Sequence, residues 1–105
     1  MSAPKVMPPK PNALQEIFPE PKPVIGVIHL RPLPGAPRYD GTSVREICAG
    51  AVVDARTLTQ GGVDGIMIEN AGDMPFSRPE DIGHETVAAL TAACIEVRSA
   101  TDLPF

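Results

Sequence analysis

The chain has 105 residues, enough for one small domain, and nine Lys and Arg face thirteen Asp and Glu for a formal net charge of −4. This acidic balance argues against binding to nucleic acid, which needs basic groups to neutralise phosphates, and against attraction to an anionic membrane surface. With no Trp, one Tyr and three Phe, the chain also lacks the aromatic platforms on which single strands stack.

Proline dominates the first third of the chain. Ten of the thirteen prolines lie in residues 1–37, and residues 1–11 are predicted to form a Pro-rich disordered tail. Asn12 is a favourable helix N-cap and predicts a short helix over residues 13–18, which the following prolines end. Residues 24–30 are a continuous apolar run rich in β-branched side chains, which predicts a strand buried on both faces, as in a parallel sheet.

Helices and strands alternate in the rest of the chain. The pattern predicts, in chain order, a helix over 43–60, a strand over 63–70, a helix over 79–100 and the approach to a third strand over 103–105. Gly83 weakens the first turn of the last helix, so its regular part is expected to begin near His84. Ser43 with Glu46, and Ser77 with Glu80, match the capping-box pattern at the two helix starts. This order predicts an α/β fold with parallel strands and right-handed crossovers over residues 12–105.

The two cysteines, Cys48 and Cys94, lie far apart in sequence and form no CxxC pair. We expect both to be free, buried and apolar in their packing, in a reducing compartment. The sequence shows neither a signal peptide nor an apolar run long enough to span a membrane. A cytoplasmic protein is therefore predicted, with any membrane association made through a protein partner.

Polar side chains stand at the ends of both predicted strands, where parallel α/β proteins bind ligands. His29 ends the first strand, and Glu69 holds the equivalent place in the second. Neighbouring strands lie about 4.8 Å apart, so the two side chains can meet as an acid–base or cation-holding pair if both point into a barrel. A hydrogen-bonded structural role for His29 is the alternative. The apolar runs fit either strand phase, one with Glu69 inward and the other with Ile68 and Asn70 inward.

The loops that follow the strands supply further candidates. Asp73 joins Glu69 and Asn70 as possible oxygen ligands for a divalent cation, although a usable site needs more ligands than this loop offers. Capping of loops and helices is the alternative for these side chains. Arg31 and Arg38 are predicted to hold a phosphate or carboxylate of a small-molecule ligand, with a solvated loop charge as the alternative for each.

Several blocks of the sequence, in order, resemble the BtpA/SgcQ family. They are KPVIGVIHL followed by PLPGAPRY, then GGVDGIMIEN followed by GD and PF, then the helical TVAALT. The resemblance extends from about residue 12 to residue 105 and implies a TIM-barrel fold. It also implies that His29, Glu69, Asn70 and Asp73 are site residues, and one family member is a photosystem I biogenesis factor extrinsic to the photosynthetic membrane.

A complete TIM barrel has eight strands and about 250 residues. We therefore expect these 105 residues to be the first two βα units of a longer protein, or a short piece that pairs with other chains, because two units alone leave the sheet uncovered. Three functional hypotheses follow. They are a barrel enzyme with catalytic His29, Glu69 and Asp73 acting on a small polar or phosphorylated ligand, an assembly factor for a membrane complex, and an inactive truncated product.

Overall fold

The structure, a computed structural model, describes residues 7–8 and 12–105, so the predicted tail over residues 1–11 falls outside the described residues except at positions 7 and 8. Its regular elements, in chain order, are helix α1 (Ala13–Ile17), strand β1 (Ile25–His29), helix α2 (Val44–Gln60), strand β2 (Gly65–Glu69), a 3-10 turn (Pro79–Asp81) and helix α3 (His84–Ala100). The fold is therefore α/β, with two parallel strands and three helices in the described part of the chain.

Side-chain and glycine chemistry set the ends of α2. The Ser43 hydroxyl accepts a hydrogen bond from the Glu46 backbone N–H at 3.2 Å, which satisfies one of the free donors of the first turn. At the other end the N–H groups of Gly61 and Gly62 donate to carbonyls of the last turn. Gly62 has a φ of +89°, a left-handed conformation that favours glycine, and the chain leaves the helix there.

The second predicted capping box is wrong. Ser77 caps nothing in the structure, because the chain forms a separate 3-10 turn preceded by Arg78, which makes no capping hydrogen bond. Ile82 and Gly83 are extended, and α3 begins only at His84. The regular part of the helix predicted over residues 79–100 thus begins at His84, as the low helix propensity of Gly83 predicts.

Strands β1 and β2 pair in parallel, with Ile25 opposite Gly65 and His29 opposite Glu69. Side chains on a strand alternate between its faces, so the register sorts the apolar residues into two sets. One set packs against the helices. With residues of the helices and loops it forms a continuous core of Ile28, Leu30, Leu33, Ile47, Cys48, Ala51, Ala55, Ile66, Ala89, Ala93 and Val97. The other face is open: Val27 is 44% exposed and Met67 is 50% exposed.

Hydrogen bonds join β2 to the segments that lie on either side of it in the sheet. The Asp64 carboxylate accepts from the Val24 N–H at 2.8 Å, and the Asp64 N–H donates to the Val24 carbonyl at 2.8 Å, which aligns the starts of the two strands. At the other edge of β2 the Ile66 N–H donates to the Pro104 carbonyl at 2.9 Å. Residues 103–105 therefore lie beside β2, on the side opposite β1, where a third strand is predicted.

Of the two free cysteines, Cys48 is buried in the core as predicted, and Cys94 is only half-buried. Burial raises the pKa of the Cys48 thiol, and the charge of Glu96 adds a smaller effect in the same direction. Among the described residues, no helix is long and apolar enough to cross a membrane.

Phe18, the residue that ends α1, covers the open face of the sheet at its amino end. A Cβ atom on Gly65 would lie 2.8 Å from Phe18 Cζ and 3.2 Å from Ile25 Cδ1, so only glycine leaves room for the ring. Phe18 is buried although its helix has no buried residue of its own. This contact therefore holds the N-terminal segment against the sheet.

We expect Gly65→Ala to lower the free energy of unfolding by about 1–3 kcal/mol, because the new methyl group overpacks the Phe18 ring. Urea unfolding followed by circular dichroism measures the change. Gly50→Ala is the matched control: a Cβ there meets nothing within 4 Å, and alanine favours helix α2, so stability should rise by about 0.5–1 kcal/mol. Equal effects of the two substitutions would contradict the Phe18 contact.

Candidate functional site

His29 and Glu69 contact each other at the carboxyl end of the sheet, with 3.5 Å between His29 Nε2 and Glu69 Oε2, and the contact is an ion pair when the imidazole is protonated. They meet because the register pairs the last residues of β1 and β2 directly. Both side chains are accessible, with exposed fractions of 66% and 45%. Of the two strand phases left open by the sequence, the structure has the one with Glu69 on the open face beside Met67 and with Ile66 among the helices.

Asp73 lies in the loop after β2 and bridges to the loop after β1. It is 7% exposed, and its Oδ1 accepts a hydrogen bond from the Leu33 N–H at 2.8 Å. Its Oδ2 accepts from the Asn70 side-chain amide at 3.1 Å. Each carboxylate oxygen thus has a partner within the loops, which accounts for the burial of this charge. A direct catalytic role for Asp73, and a ligand-binding role for Asn70, stay predictions.

The same two loops touch through their backbones at Gly72. A Cβ atom there would lie 2.6 Å from the Leu30 carbonyl oxygen and 2.8 Å from the Pro32 nitrogen. Any side chain at this position would therefore push the loops apart. Gly72 belongs to the Gly-Asp pair that begins three residues after β2, and the sequence predictions gave it no role in the site.

Arg31 is held within its own loop. Its Nη2 donates to Thr42 Oγ1 at 3.0 Å and lies 3.6 Å from Asp40 Oδ2. Asp40 Oδ1 also accepts from the Thr42 N–H at 3.0 Å, an Asx turn that the Asp-Gly-Thr sequence could have revealed. The Thr42 hydroxyl also donates to Asp40 Oδ1, and this hydrogen bond is the main cause of the lowered pKa of the Asp40 carboxyl. Arg38 is exposed and forms no ion pair with the residues described, so its guanidinium is open to a ligand.

The oxygen ligands predicted for a divalent cation do not converge. Asn70 turns its amide to Asp73, and Asp73 turns its carboxylate to the Leu33 backbone, while Glu69 faces His29. Within residues 7–8 and 12–105 no group of three or more His, Cys, Asp or Glu is placed to hold a metal ion. The candidate site thus combines the contact between His29 and Glu69 with a hydrogen-bonded junction of the two loops that follow the strands.

We expect Asp73→Ala to lower the free energy of unfolding by about 1–3 kcal/mol, because it leaves the buried Leu33 N–H without an acceptor. Asn70→Ala removes only one hydrogen bond and should cost less. Chemical denaturation of both variants tests this order. Wild-type stability of Asp73→Ala, together with loss of ligand binding, would instead favour the catalytic role predicted from the sequence.

We expect the carboxyl of Asp40 to titrate below its ordinary pKa of 3.8 in an NMR pH titration. Thr42→Val should raise this pKa more than Arg31→Gln does, since the Thr42 hydrogen bond is the larger cause and Arg31 the smaller. Because the pKa is lowered in the folded protein, the Asp40 contribution to stability is present above 3.8 and is lost as the pH falls through the folded-state value. A larger effect of Arg31→Gln would contradict this ranking.

Comparison with known proteins gives relatives over most of the chain. It is 45% identical to an uncharacterized protein of Pyrococcus furiosus over 84 residues, which are 80% of this chain and 31% of the relative. It is 40% identical over 78 residues to the photosystem I biogenesis protein BtpA of Synechocystis sp., covering 74% of this chain and 26% of that protein. It is 32% identical over 93 residues to the putative sgc region protein SgcQ of Escherichia coli, covering 88% and 34%.

The chain thus spans about a third of the length of the curated relatives that it matches. No solved structure matches it significantly. The family model described as the BtpA family matches residues 20–105, which include both strands and every candidate site residue. On this match and on the identities to its members, the chain belongs to the BtpA family.

Proposed function

We propose that these residues are the first two βα units of a (β/α)8 barrel whose catalytic pair includes His29 and Glu69. The barrel proposal is supported by the parallel pairing, by a helix after each strand, and by the packing of both of these helices, α2 and α3, on the same face of the sheet. The half-exposed apolar side chains of Val27 and Met67 on the open face suit the interior of a closed barrel. The greater length of the relatives supplies chain for the remaining units.

The 3.5 Å contact between His29 and Glu69 carries the functional proposal. An imidazole takes up and releases a proton near neutral pH, and an adjacent carboxylate orients it and stabilises its protonated form. In this proposal His29 transfers a proton to or from the bound ligand. Glu69 fixes the ring and balances the charge that develops on it.

A small polar or phosphorylated compound is the proposed ligand. Arg38 is exposed in the loop after β1 and offers a charged guanidinium for a phosphate or carboxylate group. Arg31 contributes through the same loop, although its guanidinium is partly used by Asp40 and Thr42. Asn70 and Asp73 set the position of the loop after β2, next to Glu69.

Substitution of His29 tests the enzyme proposal in the intact protein. A panel of sugar phosphates and their unphosphorylated counterparts is first screened for binding and turnover. For any substrate found, His29→Gln should lower kcat by about 10²–10⁴-fold while the protein keeps its fold, because glutamine fills the site but transfers no proton. Glu69→Gln should lower kcat less.

His84→Gln is the matched control, since His84 is exposed on the first turn of α3. It should leave kcat and KM unchanged. Full activity of His29→Gln, with circular dichroism matching the wild type, would overturn the proposed role of the pair.

A second candidate function is assembly of a membrane complex. It is favoured by one observation, the 40% identity to a relative named photosystem I biogenesis protein BtpA. In that case the barrel would serve as a binding platform for a protein partner. The intact protein should then co-purify with a membrane fraction, and His29→Gln should bind that fraction as well as the wild type does.

A further inference from the structure

An apolar groove lies between α2 and α3 on the side of the helices that faces away from the sheet. Its volume is about 650 Å³, and its lining includes Cys48, Ala49, Val52, Val53 and Ala92. Val53 is two positions from the buried Ala51 and Ala55, so helix geometry turns it outward, and it is 60% exposed. Closing a barrel covers the open face of the sheet, and it does not cover this outward groove.

The same outward surface continues along α3. Ile95 is two positions from the buried Ala93 and Val97 and is 62% exposed. Both residues thus add exposed apolar surface to the outward faces of two neighbouring helices, and such surface is used in protein–protein contacts. The surface formed by the groove with Val53 and Ile95 is called the outer groove below.

Charges of opposite sign flank the outer groove. Arg45 and Arg56 line it from α2, and Glu96 lines it from α3. In the described part of the chain, none of these three takes part in an ion pair. The groove therefore has one basic wall and one acidic wall around an apolar floor, a pattern that is complementary to itself.

We propose that the outer groove binds a second copy of this chain through a twofold axis that runs along the groove. Both helices follow parallel strands, so they run in the same direction. A twofold axis along them places α2 of one copy over α3 of the other at the same height, which brings Arg56 against the partner's Glu96, because Thr59 and Thr101 are level on the two helices. An axis across the helices would instead place arginine opposite arginine, which the charges disfavour.

Sedimentation velocity over a range of protein concentrations tests this dimer. The wild type should form a dimer. Glu96→Arg should raise the dissociation constant of the dimer by about tenfold or more, since it places like charges together. Glu80→Arg is the matched control: it changes the net charge equally at an exposed position outside the groove. The charge-swapped double variant Arg56→Glu with Glu96→Arg should restore part of the lost affinity.

Val53→Asp is the second test, because it alters the apolar part of the contact at an exposed position and so leaves folding intact, as circular dichroism can verify. It should also weaken the dimer. A wild-type chain that stays monomeric at its highest soluble concentration would overturn the proposal. So would association that survives Val53→Asp and Glu96→Arg but is lost in Met67→Asp, because the contact would then lie on the open face of the sheet.

Discussion

The register between β1 and β2 determines both the core and the site. Because side chains alternate along a strand, the pairing that places Ile28 and Ile66 among the helices also places His29 and Glu69 together on the opposite face. A slip of one residue would exchange the two faces and separate the pair. Polar contacts of Asp64 fix this register at the amino ends of the strands.

The sequence predicted the elements well where the signal was local. The apolar runs located both strands, and the Ser43 cap located the start of α2. Two signals competed before α3: Ser77 and Glu80 resemble a capping box that the structure lacks, while the low helix propensity of Gly83 correctly predicts a regular helix from about His84. The sequence also could not show which side chains of each strand face the helices, because a strand that is apolar on both faces has no alternation of polar and apolar residues.

The candidate site was predictable in part for the same physical reason. Parallel strands end at one edge, so residues at their carboxyl ends must lie near each other, as His29 and Glu69 do. The contact of Asp73 could not be predicted in this way, since its carboxylate accepts a hydrogen bond from the backbone N–H of Leu33, 40 positions away in the chain. Contacts between loops depend on how closely two backbones approach, and the small size of Gly72 decides that distance here.

The two parts of the candidate site differ in burial and in hydrogen bonding. Asp73 is buried with both oxygens bonded, which holds the two loops in one arrangement. His29 and Glu69 are accessible and contact each other on the open face. In the proposed function, the bonded loop junction would hold the loops beside His29 and Glu69 before a ligand arrives, and general acid–base chemistry depends on such positioning. Under that proposal, the two side chains would carry the proton transfer and other groups would select the ligand. The selectivity of the whole protein would then come from the strand ends that the longer relatives add around this pair.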